Sequence, residues 1–189
     1  MSLSRVDRVS AQTVMGIDAS TQSLAFCVLN YETPISWGEI DFTGSNVYAR
    51  LGDAKRKTNA LSNEFKCDFV AIESAVMVRS ASVAIKLAYV YGAIFGELLE
   101  SHANVVEVAP ISWQSYIGNK NWAATRKADL RKSIPGKSKA WYQNEIRRQR
   151  KQFTIDWAKT EFNIDIESNN VSDAFGLAWY ASHHLTEQP

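Results

Sequence analysis

The chain has 189 residues, of which 46% are hydrophobic and 22% are charged, and its formal net charge is +1. This length suits one domain with its own core, and the composition is ordinary for a soluble globular protein. No run approaches the length expected of a membrane span, and the N-terminus lacks the apolar core of a signal peptide. We therefore predict a polar N-terminal leader over 1–13 and a single domain over 14–189.

The cysteine and histidine content gives a limited indication of metal use and compartment. Two cysteines and three histidines make a structural zinc site improbable. Cys27 and Cys67 lie inside apolar runs, which favours packed free thiols and a reducing, cytoplasmic compartment.

The first half of the domain alternates strand-like and helical patterns. Short apolar runs joined by turn residues predict an antiparallel meander, a helical spacing follows, and a nearly continuous apolar run predicts a fourth strand covered on both faces. The predicted bounds are 14–18, 24–29 and 35–42 for the meander, 46–65 for the helix and 67–74 for the strand.

The second half is predominantly helical. The longest helical pattern covers 80–101, a fifth strand over 104–109 is stopped by Pro110, and shorter helices are predicted at 153–162 and 172–184. The order predicts a three-layer α/β fold with a five-stranded mixed sheet flanked by helices.

Three acids stand at or near the ends of apolar elements. Asp18 ends the first strand, Glu73 lies in the fourth, and Asp173 begins the last helical pattern. Each has a structural alternative: a turn cap for Asp18, a buried salt bridge for Glu73 and a first-turn helix position for Asp173. Together they predict one site for Mg²⁺, with Mn²⁺ as a substitute, because like-charged carboxylates in one site need a cation between them.

The charges are distributed unevenly, because residues 119–151 contain eleven Lys or Arg and only two acids. A concentrated basic segment on a mildly acidic body predicts a bound polyanion, although a charge run can also be only a solvated face. Trp122, Trp141 and Tyr142 are interleaved with it and suit either base stacking or a helix core. The basic residues predicted to bind DNA are Lys120, Arg126, Lys127, Arg131, Lys132, Lys137, Lys139, Arg147 and Arg148.

Four short motifs together resemble the RuvC-type Holliday junction resolvases of the ribonuclease H-like superfamily. They are Gly-Ile-Asp-Ala-Ser-Thr at 16–21, Ala-Ile-Glu at 71–73, Val-Ala-Pro at 108–110 and Asn-x-x-Asp-Ala at 170–174. The resemblance implies that Asp18, Glu73 and Asp173 bind two metal ions. It also implies a homodimer that cuts four-way or related branched DNA by symmetric paired nicks, leaving 5′-phosphate and 3′-hydroxyl ends.

One position departs from the family pattern. Many members carry another acid or a histidine three residues before the final-helix Asp, and here that position is Asn170. An amide oxygen can ligate a hard cation without adding charge, so Asn170 is predicted as a catalytic and metal-binding residue, with helix capping as the alternative.

Two other functions fit parts of the sequence. A catalytically weak or inactive binder of branched DNA would be consistent with Asn170. A phosphotransferase of the actin-like fold has a similar opening motif, but it needs two such domains and glycine-rich nucleotide loops, and none is evident here. We therefore expect no nucleotide cofactor and no membrane partner. A compact resolvase would suit a phage genome.

Overall fold

The computed structural model describes residues 13–75, 80–102 and 104–184. The predicted leader thus lies outside the described residues except for Thr13, as do the last five residues of the predicted domain. Within the described part there are five strands and six helices: β1 (Thr13–Ala19), β2 (Ser23–Asn30), β3 (Thr33–Asp41), α1 (Val47–Glu64), β4 (Phe69–Glu73), α2 (Ala81–Ser101), β5 (Val105–Val108), α3 (Pro110–Tyr116), α4 (Ala124–Ser133), α5 (Lys139–Phe162) and α6 (Asn169–His184).

The strands form one mixed sheet in the order β3-β2-β1-β4-β5. The first three pair antiparallel as a meander, whereas β1 with β4 and β4 with β5 pair parallel. The predicted fold class, a five-stranded mixed sheet flanked by helices, is confirmed.

Helices cover both faces of this sheet. Met15, Ile17 and Ile72 pack with α1 and α2 in the largest core cluster. Ala25 and Ala71 face the other side, where α3, α5 and α6 contribute the covering side chains. Because strand side chains alternate between faces, Asp18 lies on the α6 side of β1, opposite to Ile17.

Gly16 permits α6 to lie directly against β1. A Cβ at this position would come within 2.2 Å of the Ala174 carbonyl oxygen and 2.4 Å of the Ala178 nitrogen, both backbone atoms that cannot swing aside. The missing side chain therefore sets the distance between the strand that carries Asp18 and the helix that carries Asp173.

The helical region differs from the sequence prediction in its bounds. The helix predicted at 153–162 is the end of α5, which begins at Lys139. The helices α3 and α4 were not predicted from the sequence. Few side chains of α5 are buried, so its apolar periodicity is too weak to mark its start. Pro135 and Gly136 lie in the turn that separates α4 from α5. The last helix begins at Asn169 rather than at residue 172.

Helix α2 has an apolar surface that the core covers only in part. Val90, Ile94 and Leu98 are buried, whereas Ile85 and Leu99 are 52% and 55% exposed. By length and composition alone α2 could cross a membrane, which corrects the expectation that no run reaches that length. One such helix is a weak indication, because core helices meet the same criterion.

Candidate active site

Asp18 and Glu73 stand side by side at the ends of two parallel strands. Ile17 of β1 pairs with Ile72 of β4, and each acid is the next residue along its strand. The two carboxyl groups lie close enough to affect each other's ionisation: their contact acts to lower the pKa of Asp18 and to raise that of Glu73. The parallel register therefore produces the close contact between two residues that are 55 positions apart in sequence.

Glu73 is held from a second side by Trp113 of α3. The Trp113 indole Nε1 donates to Glu73 Oε1 over 3.1 Å, and the Trp113 side chain is fully buried. No local pattern indicates this contact, because a tryptophan in a short apolar helix is typical of a core residue. Its role depends on the tertiary packing of α3 against the sheet.

Asp173 approaches the pair from α6. Burial, followed by the charges of Asp18 and Glu73, raises the pKa of Asp173 to about 8. Burial also raises the pKa of Asp18 to about 6, and burial together with the Asp18 charge raises that of Glu73 to about 7. The three predicted acids thus lie in one partly dehydrated site, where the charge of Asp18 opposes the ionisation of both Glu73 and Asp173.

The geometry does not fit the structural alternatives for Asp173, a first-turn helix position, and for Asn170, a helix cap. Asp173 lies beyond the first turn of α6, which begins at Asn169 and has no acid in that turn. Asn170 does not cap the helix, since the Ser168 hydroxyl accepts the Val171 backbone N–H at 3.4 Å. The Asn170 side chain instead donates from Nδ2 to Glu39 Oε1 at 2.7 Å.

Glu39 is an acid beside the site that the sequence analysis did not select. Asp18 pairs with Ala25 across β1 and β2, and Ala25 pairs with Glu39 across β2 and β3, so the two acids share a sheet face. The Glu39 charge acts to raise the pKa of Asp18. In sequence, Glu39 occupies an exposed alternating position of β3 and cannot be distinguished from a solvent-facing residue.

Two cations of the basic segment that were not among the predicted DNA-binding residues act on the pKa values of these acids. Lys151 favours the ionised forms of Asp18 and Asp173, and Arg150 favours that of Asp173. Arg150 is fixed in place by Asn119, Asn121 and Gln114. Both cations lie on α5, whose length as one helix was not predicted, so their position relative to the acids could not be inferred.

The nine basic residues predicted to bind DNA are all exposed. Most lie on α4, the first half of α5 and the turn between them, which we call the basic arm (residues 120–148). A small core of Trp122, Leu130 and Tyr142 holds the arm together. Of the two alternatives for Trp122 and Tyr142, the helix core fits and base stacking does not, because each side chain is only 8% exposed.

The arm's core also fixes one of its cations. The Arg126 guanidinium lies 3.9 Å from the centre of the Trp122 ring, and the Tyr142 hydroxyl donates to the Ile134 carbonyl at 2.5 Å. These contacts give the arm a defined shape, so its charges are presented on a folded surface rather than on a flexible loop.

The donor chemistry of the site fits a hard divalent cation. The carboxylates of Asp18, Glu73 and Asp173 and the amide oxygen of Asn170 are oxygen ligands of the kind that Mg²⁺ prefers. Within residues 13–75, 80–102 and 104–184, no group of three or more His, Cys, Asp or Glu is already arranged to hold a metal ion.

A mixed sheet of this strand order with helices on both faces is typical of ribonuclease H-like nucleases, and the converging oxygen donors suit that class. The sequence profile of the family "Crossover junction endodeoxyribonuclease RuvC" matches residues 14–130, more than half of the chain. The chain belongs to this family. No curated protein matches it in sequence.

Solved structures agree with the family assignment at the level of the fold. The RuvC of Thermus thermophilus in complex with a Holliday junction substrate has a TM-score of 0.67 and 14% identity, over 93% of this chain and 96% of that one. A second structure of that protein has a TM-score of 0.65 and 15% identity, over 92% and 97%. The yeast mitochondrial Holliday junction resolvase has a TM-score of 0.52 and 12% identity, over 92% and 80%.

These comparisons confirm the predicted family and the class of enzyme, a hydrolase that cuts DNA at crossover junctions. The matched region includes Asp18 and Glu73 but ends before Asn170 and Asp173. The roles of the individual site residues stay predictions.

Proposed function

We propose that this chain resolves four-way and related branched DNA junctions with Mg²⁺, or Mn²⁺ in its place, bound by Asp18, Glu73, Asp173 and Asn170. One observation carries the proposal: in a chain of the RuvC family, acids from β1, β4 and α6 converge beside two cations of α5. The T. thermophilus neighbour, solved with a Holliday junction substrate, supports the choice of branched DNA.

The chemistry divides between the cation and the protein. A divalent cation, or a pair of them, lowers the pKa of water and neutralises charge on phosphoryl oxygens. Asp18, Glu73 and Asp173 would hold it in their ionised forms, and Trp113 keeps Glu73 oriented. Lys151 and Arg150 place positive charge beside the acids, where they can attract the scissile phosphate.

The basic arm supplies the DNA-binding surface in this proposal. Its exposed Lys and Arg residues suit contacts with phosphates, which orient a duplex without reading its sequence. Since Trp122 and Tyr142 are buried in the arm's core, recognition would depend on the shape of the junction and on its backbone.

A homodimer formed through α2 completes the proposal. Ile85, Tyr89 and Leu99 share one face of this helix, are 47–55% exposed, and would be covered by a second copy. Two identical sites related by a two-fold axis would match the symmetry of a four-way junction and give paired nicks. Sedimentation equilibrium should give a dimer, and Ile85→Lys with Tyr89→Lys should give a monomer that makes only single nicks.

A cleavage assay on an immobile four-way junction, labelled on each strand in turn, tests the activity. We expect symmetric nicks in two opposing strands near the branch point, with ends that ligase can rejoin and therefore carry 5′-phosphate and 3′-hydroxyl groups. Linear duplex is the control. Tight binding without cutting in either metal would favour the alternative, an inactive binder of branched DNA.

A further inference from the structure

Glu39 accepts three side-chain hydrogen bonds at the edge of the proposed metal site. Its Oε1 accepts from the Ser23 hydroxyl at 2.8 Å and from Asn170 Nδ2 at 2.7 Å. Its Oε2 accepts from the Ser168 hydroxyl at 2.9 Å. One carboxylate of β3 thus joins β2 to the segment that begins α6, across more than 120 residues of sequence.

The hydrogen bond to Glu39 determines which end of the Asn170 amide faces Glu39 and which end faces away from it. An ionised carboxylate only accepts hydrogen bonds, so the amide must turn its NH₂ group towards Glu39. The Oδ1 atom is then directed away from Glu39. Asn170 and Asp173 are three residues apart on α6 and so share one face of the helix.

We propose that Glu39 is a positioning residue that holds the Asn170 amide with Oδ1, rather than NH₂, available to the cation. The inference rests on the proposed metal site, of which Asn170 is one ligand. Without a fixed acceptor on one side, an amide can rotate and present two N–H donors, which a cation repels. Groups that orient a metal ligand in this way typically change metal affinity or activity by about 10- to 100-fold when they are substituted.

The charge and position of Glu39 agree with this role. Glutamate carboxylates are ionised at neutral pH, and the three contacts to Glu39 all come from donors, so both of its oxygens act as acceptors. Glu39 lies two strands away from Asp18, about 10 Å at the usual strand spacing, which suits an orienting contact.

Two other roles for Glu39 make different predictions. A residue that only ties β3 to the start of α6 would change the stability of the fold and leave metal affinity unchanged. A residue that binds the cation directly would lower metal affinity whether or not Asn170 is present. A double-mutant cycle between Glu39 and Asn170 separates these roles from positioning.

Mn²⁺ binding to the full chain, measured from the electron paramagnetic resonance signal of free Mn²⁺ at pH 8, is the test. The variants are Glu39→Gln, Asn170→Ala and the pair together, with melting temperatures recorded for each. Asp41→Asn is the matched control, since it removes the same charge from the same face of β3 two residues further on. We expect Glu39→Gln to weaken binding by about 10- to 100-fold and Asp41→Asn to leave it nearly unchanged. The double variant should bind no more weakly than Asn170→Ala alone.

Each other result has a definite meaning. Wild-type affinity in Glu39→Gln overturns the positioning role, whatever happens to the melting temperature. Additive losses in the double variant overturn it in favour of a direct ligand. If the wild-type chain itself fails to bind Mn²⁺ stoichiometrically, the proposed metal site is wrong and Glu39 has nothing to position.

Discussion

The indole of Trp113 donates to Glu73 Oε1 over 3.1 Å, so one buried aromatic residue orients an acid of the site. The opposite edge of the same indole lies against α6 at Gly176, where an added Cβ would come within 2.5 Å of the ring. Trp113 therefore connects α3, β4 and α6, and its position couples the orientation of Glu73 to the packing of the helix that carries Asp173.

Replacing Trp113 by Phe removes the donor and keeps an aromatic ring. The hydrogen bond stabilises ionised Glu73, so its loss should raise the pKa of Glu73 further and shift the acidic limb of the cleavage–pH profile to higher pH. We expect the maximal rate to fall by about 10- to 100-fold. Trp157→Phe, in the same helical layer, is the control and should lose stability without moving the limb. An unmoved limb in Trp113→Phe would show that the indole only packs.

Gly16→Ala tests the close approach of α6 to β1. The new methyl group would meet two backbone atoms of α6, and overpacking of this kind costs about 1–3 kcal/mol. Urea unfolding should show this loss, and cleavage should fall because Asp173 is displaced from Asp18. Gly52→Ala in α1 is the matched control, since its added Cβ meets only the Arg56 side chain at 3.6 Å. It should be neutral or more stable by up to about 1 kcal/mol. Equal stability of the two variants would contradict the packing described for α6.

The stability of the protein in EDTA should fall as the pH rises from about 5 to 9. The pKa values of Glu73 and Asp173 are raised to about 7 and about 8, above those of unfolded carboxyl groups. Their protonated forms therefore favour the folded state, and this contribution is full below about pH 4 and is lost through the folded-state pKa values.

Thermal unfolding at several pH values measures this effect. Millimolar Mg²⁺ should restore the melting temperature at pH 8–9 because it binds the ionised carboxylates of the folded state. Asp173→Asn should flatten the pH dependence, whereas Asp129→Asn, on the basic arm, should not. A melting temperature that rises with pH in EDTA would contradict the electrostatics of the site.

The basic arm should account for much of the salt dependence of junction binding. Arg131→Ala and Lys132→Ala should each weaken binding to all junction sequences and reduce the slope of log K against log salt by about 1. Lys66→Ala, at the end of α1, is the control and should leave the slope unchanged. Unaltered slopes in the arm variants would place the DNA on another surface.

Local sequence patterns predicted the sheet and selected three acids that lie together in the structure. Strand alternation and turn residues predict the meander, and an acid inside an apolar run is conspicuous at Glu73. Register and helix packing were not predictable, because Trp113, Gly16 and Glu39 acquire their roles only through contacts with residues distant in sequence. The same reason explains why Lys151 was not distinguished from the rest of the basic segment: only the length and course of α5 bring it near Asp18.

Single-turnover cleavage of a labelled four-way junction tests the central claim most directly. The proteins compared are wild type, Asp18→Asn, Glu73→Gln and Asp173→Asn. Junction binding is measured in parallel with Ca²⁺ in place of Mg²⁺. The account predicts that each substitution lowers the cleavage rate about 1000-fold, which corresponds to an increase of about 4 kcal/mol in the activation free energy. Junction binding should remain within a few-fold of wild type. Near-normal cleavage by any of the three variants would contradict a single metal-dependent site built from all three acids.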